Sequence, residues 1–291
     1  MPFHTPLRYP GGKRKLANFI KLVFEYNDLF GAHYVEPYAG GAAIALSLLF
    51  EGYVSHIHIN DISKPVYAFW HSVLYETENL CNLVESTDVT IHEWHRQRAI
   101  QAMASEVGLV EVGFSTFFLN RTNRSGIING GVIGGKNQDG PYKLNARFNK
   151  QNLTSRIRRI ANYRNQISIC SEDAADFIRN TVSCLPPETL VYLDPPYFEK
   201  GKGLYENYYE SEDHEEIANL LANLKQKWIV TYDNVPNIVR LYAQYRSRVY
   251  SLSYSAASRY KGSEIMFFCN ELEIPPIANP VLVSKRMCKG L

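Results

Sequence analysis

The 291-residue chain has little that suits a membrane or an oxidising compartment. No stretch approaches the roughly 18 consecutive apolar residues that span a bilayer, so no transmembrane helix is expected. The N-terminal segment MPFHTPLRYPGGKRKL has no apolar core between its charges and no small-residue cleavage site, so no secretory signal is expected. Cysteine is scarce. Cys81, Cys170, Cys184, Cys269 and Cys288 are odd in number, widely spaced and without any CxxC. That pattern fits reduced thiols and a cytoplasmic location better than disulfides or zinc. No His/Cys/Asp cluster has ligand spacing, so no metal is expected. With 45% hydrophobic and 21% charged residues, the composition is that of a globular protein able to bury a full core. The length predicts two domains, or one large α/β domain carrying an insertion.

Net charge is also small, at +2, but it is unevenly distributed. Between Arg121 and Arg164 ten basic residues, including Lys136 and Arg147, face the single acid Asp139. This leaves +9 in the segment and −7 in the remainder. Such polarisation is the footprint of a surface that meets a polyanion, because uncompensated like charges repel without a counter-surface. A solvated basic face without a partner is the alternative.

The apolar pattern predicts a helix over 15–26, a strand over 33–36, a glycine-containing turn over 37–41, a helix over 42–50 and a strand over 56–60. This order is the βαβ signature of a parallel sheet. Helices are expected over 65–84, 91–105 and 152–163. The aromatic run 114–119 leads into a Gly- and Asn-rich loop over 120–140. The sheet resumes at 167–170, 190–193 and 228–232, with a helix over 214–225, and strands 249–254 and 265–269 close the chain. The expected division is a catalytic domain of residues 1–64 and 165–291 and a mostly helical inserted domain of residues 65–164. Trp228 and Tyr232 read as core.

Three stations follow strands, at the sheet end where open α/β folds bind ligands. Glu36-Pro37-Tyr38-Ala39-Gly40-Gly41-Ala42 is a turn in which glycines let the backbone approach a ligand and the next helix offers free N–H groups. A plain structural turn uses the same residues. Asp61 ends the following strand, where a carboxylate accepts both hydroxyls of a ribose or, alternatively, caps the helix beginning near Lys64. Asp194-Pro195-Pro196-Tyr197 follows a buried strand. Two prolines hold the chain extended without N–H donors, so an acid, free carbonyls and an aromatic face are fixed together. That set suits an amino group on a flat heterocycle, although a strand-ending turn also employs such prolines.

The Asp-Pro-Pro-Tyr turn after a strand resembles the hallmark of amino-group methyltransferases acting on DNA. Arg8-Tyr9-Pro10-Gly11-Gly12-Lys13 is similar to the N-terminal motif of Dam-like adenine methylases. The resemblance runs from Leu7 to about Asn270, and it implies a Rossmann-like α/β methyltransferase sheet with an inserted DNA-recognition domain. It implies S-adenosylmethionine as cofactor, with Tyr9, Lys13, Glu36, Pro37, Tyr38, Gly40 and the ribose acid Asp61 as contacts. Asp176 and Phe177 correspond to the site of the cofactor's adenine ring. Asn120, Arg121, Asn123, Arg124, Lys136 and Arg147 fall in the DNA-contacting segments.

The implied reaction moves a methyl group to the exocyclic amine of an adenine flipped out of double-stranded DNA. Asp194 and the Pro195 carbonyl accept the amine hydrogens, Pro196 stiffens the turn and Tyr197 stacks on the base. Tyr205, Tyr208 and Tyr209 either flank that base or pack as ordinary aromatics. Two departures stand out: Tyr38 replaces the usual Phe, and Ala42 stands where a third glycine is common. The loop 130–140 departs from that of the enteric GATC methylase, so no target sequence follows. The resemblance admits a cognate restriction endonuclease or defence-system partner, and a monomer or weak dimer. Cytosine, RNA adenine and a non-catalytic binding protein stay open as alternatives.

Overall fold

The structure is a computed structural model, and it describes residues 4–8, 13–198, 209–254 and 260–288. In chain order its strands are β1 (His33–Glu36), β2 (His56–Asn60), β3 (Ile167–Cys170), β4 (Leu190–Leu193), β5 (Lys227–Asp233), β6 (Arg246–Tyr254) and β7 (Tyr260–Phe268). The helices are α1 (Ala17–Tyr26), α2 (Ala43–Phe50), α3 (Lys64–Tyr75), α4 (Thr77–Ser86), α5 (Ile91–Ala102), α6 (Leu109–Thr122), α7 (Lys150–Ala161), α8 (Ala174–Asn180), α9 (Ser211–Asn223) and α10 (Pro236–Leu241). Among the described residues, no helix is long and apolar enough to cross a membrane. The chain divides into two compact units, one of Met1–Gly12 and Ile62–Ser171, the other of Lys13–Asp61 and Glu172–Leu291.

The second unit holds a mixed sheet. Its strands run in the order β2-β1-β4-β5-β7-β6. β1, β2, β4 and β5 are mutually parallel, whereas β7 is antiparallel to both β5 and β6. Every residue of β4 is buried, and so is all of β5 after Lys227. Continuous apolar runs of this kind are what a parallel sheet covered on both faces requires. The connection from β1 leads outward to β2, while that from β4 leads the other way to β5. The strand order therefore reverses between β1 and β4, which sit side by side with Val35 opposite Val191. A crevice forms outside the carboxyl ends of the strands at such a switch point. Glu36 ends β1 and Asp194 follows β4, so the topology alone brings the glycine turn and the Asp-Pro-Pro-Tyr turn to one place.

The first unit is mostly helical. Phe69 of α3 stacks on Phe117 of α6 at 5.9 Å, and Phe148 packs against Phe117 and Phe118. The run 114–119 lies within α6, where Val112 to Asn120 are all buried. A helix buried all round shows no amphipathic period, which is why the sequence pattern there is mute.

Candidate active site

A buried polar cluster underlies the Asp-Pro-Pro-Tyr turn. Lys13 opens a short 3₁₀ turn ahead of α1 and is only 6% exposed. Its ammonium carries three hydrogens and meets three acceptors: Asp194 Oδ1 at 3.1 Å, Glu264 Oε2 at 3.0 Å and the Tyr197 hydroxyl at 2.9 Å. The Tyr197 hydroxyl in turn donates to Glu264 Oε1, and the Tyr250 hydroxyl donates to Glu264 Oε2 at 2.7 Å. From β5, the Thr231 hydroxyl donates to Asp194 Oδ1 at 2.9 Å, and the Phe198 amide donates to Asp233 at 3.0 Å, tying down the chain just past the turn. Asp194 Oδ1 is thus doubly engaged. Its Oδ2 takes no hydrogen bond among the described residues, and the side chain remains 26% exposed.

Burial and charge act against each other here. Burial raises the proton affinity of Asp194, Lys13 lowers it and Glu264 raises it again, leaving the carboxyl above its ordinary range. Burial alone would discharge Lys13, but Asp194 and Glu264 outweigh it and hold the ammonium charged above the usual lysine range. With all three ionised the cluster sums to −1.

The glycine turn is built from the sheet outward. Glu36 is 5% exposed and accepts the Ala45 amide of α2 at 3.0 Å. Burial, opposed by that amide bond, lifts its carboxyl to about 8. Gly40 adopts φ 47°, a left-handed geometry that glycine reaches without strain, and its amide donates to Asp61 Oδ2 at 2.8 Å. Asp61 therefore fastens the turn. Ser63 occupies the N-cap position of α3, with no side-chain capping bond. The Asn60 side chain adds a latch, donating to the Pro37 and Glu172 carbonyls and accepting the Glu172 amide. Tyr38 is half-buried, and its hydroxyl meets that of Tyr209 at 2.9 Å.

Other expected residues are placed differently. Asp176 projects from α8 into an ion pair with Arg179 and is 59% exposed at its side chain, while Phe177 is buried in the core. Asp173 caps α8 by accepting the Ala175 amide. Trp228 and Tyr232 are core, as expected. Tyr9, Tyr205 and Tyr208 lie outside the described residues. Among the described residues, no group of three His, Cys, Asp or Glu side chains is placed to hold a metal ion.

In the first unit the expected DNA contacts separate into two kinds. Asn120 and Asn123 are internal, at 2% and 0% exposure. Asn120 accepts the Arg8 amide and donates to the Arg8 and Gly126 carbonyls. Asn123 accepts the Trp94 indole N–H at 2.6 Å and donates to the Ile127 and Ile128 carbonyls. Their amides are thus committed to the loop. Arg121 donates to the Arg147 carbonyl, and burial and then Arg8, Arg156 and Arg147 weigh against its charge. Arg124, Lys136 and Arg147 are exposed. Among the described residues Arg8, Arg121, Arg124 and Arg147 have no carboxylate partner. Arg158 by contrast is neutralised by Glu78 and Glu85.

Glu264, Thr231, Tyr250 and Asn60 were not picked out by sequence. Each is a polar strand residue without a local motif, and the roles of Glu264 and Tyr250 arise from the register of neighbouring strands, as in Asp233↔Glu264 and Tyr250↔Glu264.

A comparison with curated proteins finds no match. Among solved structures, the rRNA methyltransferase aviRa from Streptomyces viridochromogenes is similar at 12% sequence identity, covering 94% of this chain and 88% of that chain with a TM-score of 0.38. The sequence model of the D12 class N6 adenine-specific DNA methyltransferases matches residues 9–257, most of the chain, and embraces both turns and the basic segment. The chain belongs to this family and is an adenine-specific DNA methyltransferase.

Proposed function

We propose that the protein transfers the methyl group of S-adenosylmethionine to the exocyclic amine of an adenine flipped out of double-stranded DNA. The observation that carries this reading is Asp194. Its Oδ1 is pinned by Lys13 and Thr231, and its Oδ2 is left for an incoming N–H. The adenine amine is a weak nucleophile because its lone pair is delocalised into the ring. Asp194 Oδ2 and the Pro195 carbonyl each accept one amine hydrogen, which favours the localised lone pair and stabilises the positive charge that develops on nitrogen. Pro196 keeps the turn extended. Tyr197, anchored through its hydroxyl to Lys13 and Glu264, holds its ring in one orientation for stacking on the base. The raised proton affinity of Asp194 suits it to take up the proton that the methylated amine sheds.

Bound S-adenosylmethionine supplies a methyl group already activated on a cationic sulfur. The net −1 of the Lys13, Asp194 and Glu264 cluster supports cation binding nearby. Asp61 and Gly40 shape the turn for the adenosyl group, with Tyr38 beside it. The internal position of Phe177 supports a wall of the adenine pocket, whereas the outward-facing Asp176 has little support as a contact. On the DNA side, Arg124, Lys136 and Arg147 hold phosphates, and Asn120, Arg121 and Asn123 hold the shape of the loop that presents them. Work on DNA is consistent with a cytoplasmic location.

Incubation with methyl-labelled S-adenosylmethionine and duplex DNA, followed by digestion to nucleosides, tests the reading. The expected label is in N6-methyladenine. Label confined to cytosine, RNA or single-stranded DNA overturns it.

A further inference from the structure

Glu264 is the most deeply placed acid of the cluster, at 1% exposure, and no step above employs it as an acceptor for substrate. It lies in β7 with Asp233 of β5 on one side and Tyr250 of β6 on the other. Both of its oxygens are engaged, Oε2 by Lys13 and Tyr250 and Oε1 by Tyr197. One buried carboxylate thus binds two members of the apparatus that touches Asp194.

Its charge matters as well as its contacts. Lys13 and Asp194 alone would form a neutral pair, with the whole ammonium charge directed at the acceptor. Glu264 holds the same ammonium 3.0 Å away on its other side, as close as Asp194 at 3.1 Å. An ammonium shared between two carboxylates neutralises neither fully, so Asp194 keeps more of its strength as an acceptor. The Tyr197 hydroxyl is oriented in the same way, because it accepts from Lys13 and must send its own hydrogen to Glu264. A bare structural ion pair needs only one carboxylate for Lys13, and a second buried one is costly unless it does something further.

We infer that Glu264 is a positioning residue for methyl transfer, locking Lys13 and the Tyr197 hydroxyl beneath the turn and keeping Asp194 a strong hydrogen-bond acceptor. This rests on the proposed role of Asp194. The groups facing Asp194 are Lys13 from the 3₁₀ turn, Tyr34 and Glu36 from β1, Tyr192 from β4, Thr231 from β5, Tyr250 from β6 and Glu264 from β7. Lys13 and the Thr231 hydroxyl favour its charged form. The carboxylate of Glu264 opposes it, so removing that charge makes Asp194 easier to ionise.

The test is Glu264→Gln, which keeps shape and loses charge. Its kcat should fall about 10- to 100-fold with KM for both substrates little changed, since misplacement of a positioned group acts on the chemical step. Carbon-13 NMR of the Asp194 carboxyl in the unliganded protein should show its titration midpoint move to lower pH, and the acid limb of kcat should follow. Tyr250→Phe, a milder change, removes a hydroxyl that stabilises the Glu264 charge, so it should move the midpoint the same way by a smaller amount. Glu264→Asp, which restores the charge, should bring the midpoint back toward wild type. An unchanged Asp194 midpoint in both Glu264→Gln and Tyr250→Phe overturns the inference, as does an unchanged kcat in Glu264→Gln. If wild-type protein fails to methylate adenine, the functional reading falls, whereas the NMR titration still decides whether Glu264 governs the charge of Asp194.

Discussion

Gly126 in the loop after α6 should be intolerant of any side chain. It adopts φ +80°, and an added Cβ would lie 2.1 Å from the Arg8 carbonyl oxygen and 3.0 Å from its carbonyl carbon. These are backbone atoms that cannot rotate aside. A left-handed conformation costs alanine about 1–2 kcal/mol. Relief of the clash must also draw Arg8 away from Gly126, and the Asn120 amide bridges the two with hydrogen bonds of 2.7, 2.7 and 2.8 Å. At about 1 kcal/mol each, losing some of these brings the local penalty of Gly126→Ala to about 2–5 kcal/mol. The penalty falls on the loop that carries Arg124, so it lowers the fraction of molecules with a binding-competent loop. DNA affinity by fluorescence anisotropy at fixed salt should weaken by about tenfold or more, and amide exchange at 120–127 should accelerate. Binding of S-adenosylhomocysteine should stay within about twofold, because the change is local. A DNA affinity within about twofold of wild type, with unchanged loop exchange, would show that Gly126 tolerates a side chain.

Two further outcomes concern the glycine turn. Ala42 sits at φ 45°, ψ 39°, a left-handed geometry strained for alanine, and its methyl is buried. Ala42→Gly relieves about 1–2 kcal/mol of backbone strain and gives up part of that through the lost methyl and the freer unfolded chain. Thermal melts should show a change between zero and about 1 kcal/mol of added stability, and a marked loss would contradict the strain. Glu36 holds its proton in the fold up to about pH 8, whereas the unfolded chain releases it near 4.5. The folded state therefore binds more protons between those values, and stability from this group, complete below pH 4.5, is lost as pH rises toward 8. The slope is at most about 1.4 kcal/mol per pH unit. Glu36→Gln should flatten that slope in denaturant titrations, and an unaltered slope would assign it elsewhere.

Much of this architecture was legible in the sequence wherever local chemistry is decisive. The strands at 33–36, 56–60, 167–170 and 190–193 have the expected bounds, because short apolar runs there end at Gly, Pro, Asp or a polar turn. β6 begins at Arg246, earlier than its apolar pattern suggests, since its polar start pairs with Phe268 and Phe267 of β7. The terminal strands are antiparallel, which composition does not reveal. The Asp-Pro-Pro-Tyr turn was legible because its prolines and acid act locally. Glu264 was not, for a lone acid in an apolar strand signals nothing until the register sets it against Lys13. Asn120 and Asn123 show the converse: an asparagine in a Gly-rich loop suits either a base edge or a backbone carbonyl, and here both are buried and bonded to backbone carbonyls.

Asp194 is the acceptor proposed to prepare the adenine amine. Its most direct test is Asp194→Asn, assayed for single-turnover methyl transfer to duplex DNA alongside binding of S-adenosylhomocysteine, whose neutral sulfur is insensitive to the lost charge. The rate should fall about 100- to 1000-fold with that binding kept within a few-fold, the size expected for removing one preorganised charge at the reacting atom. Turnover within about tenfold of wild type would contradict it.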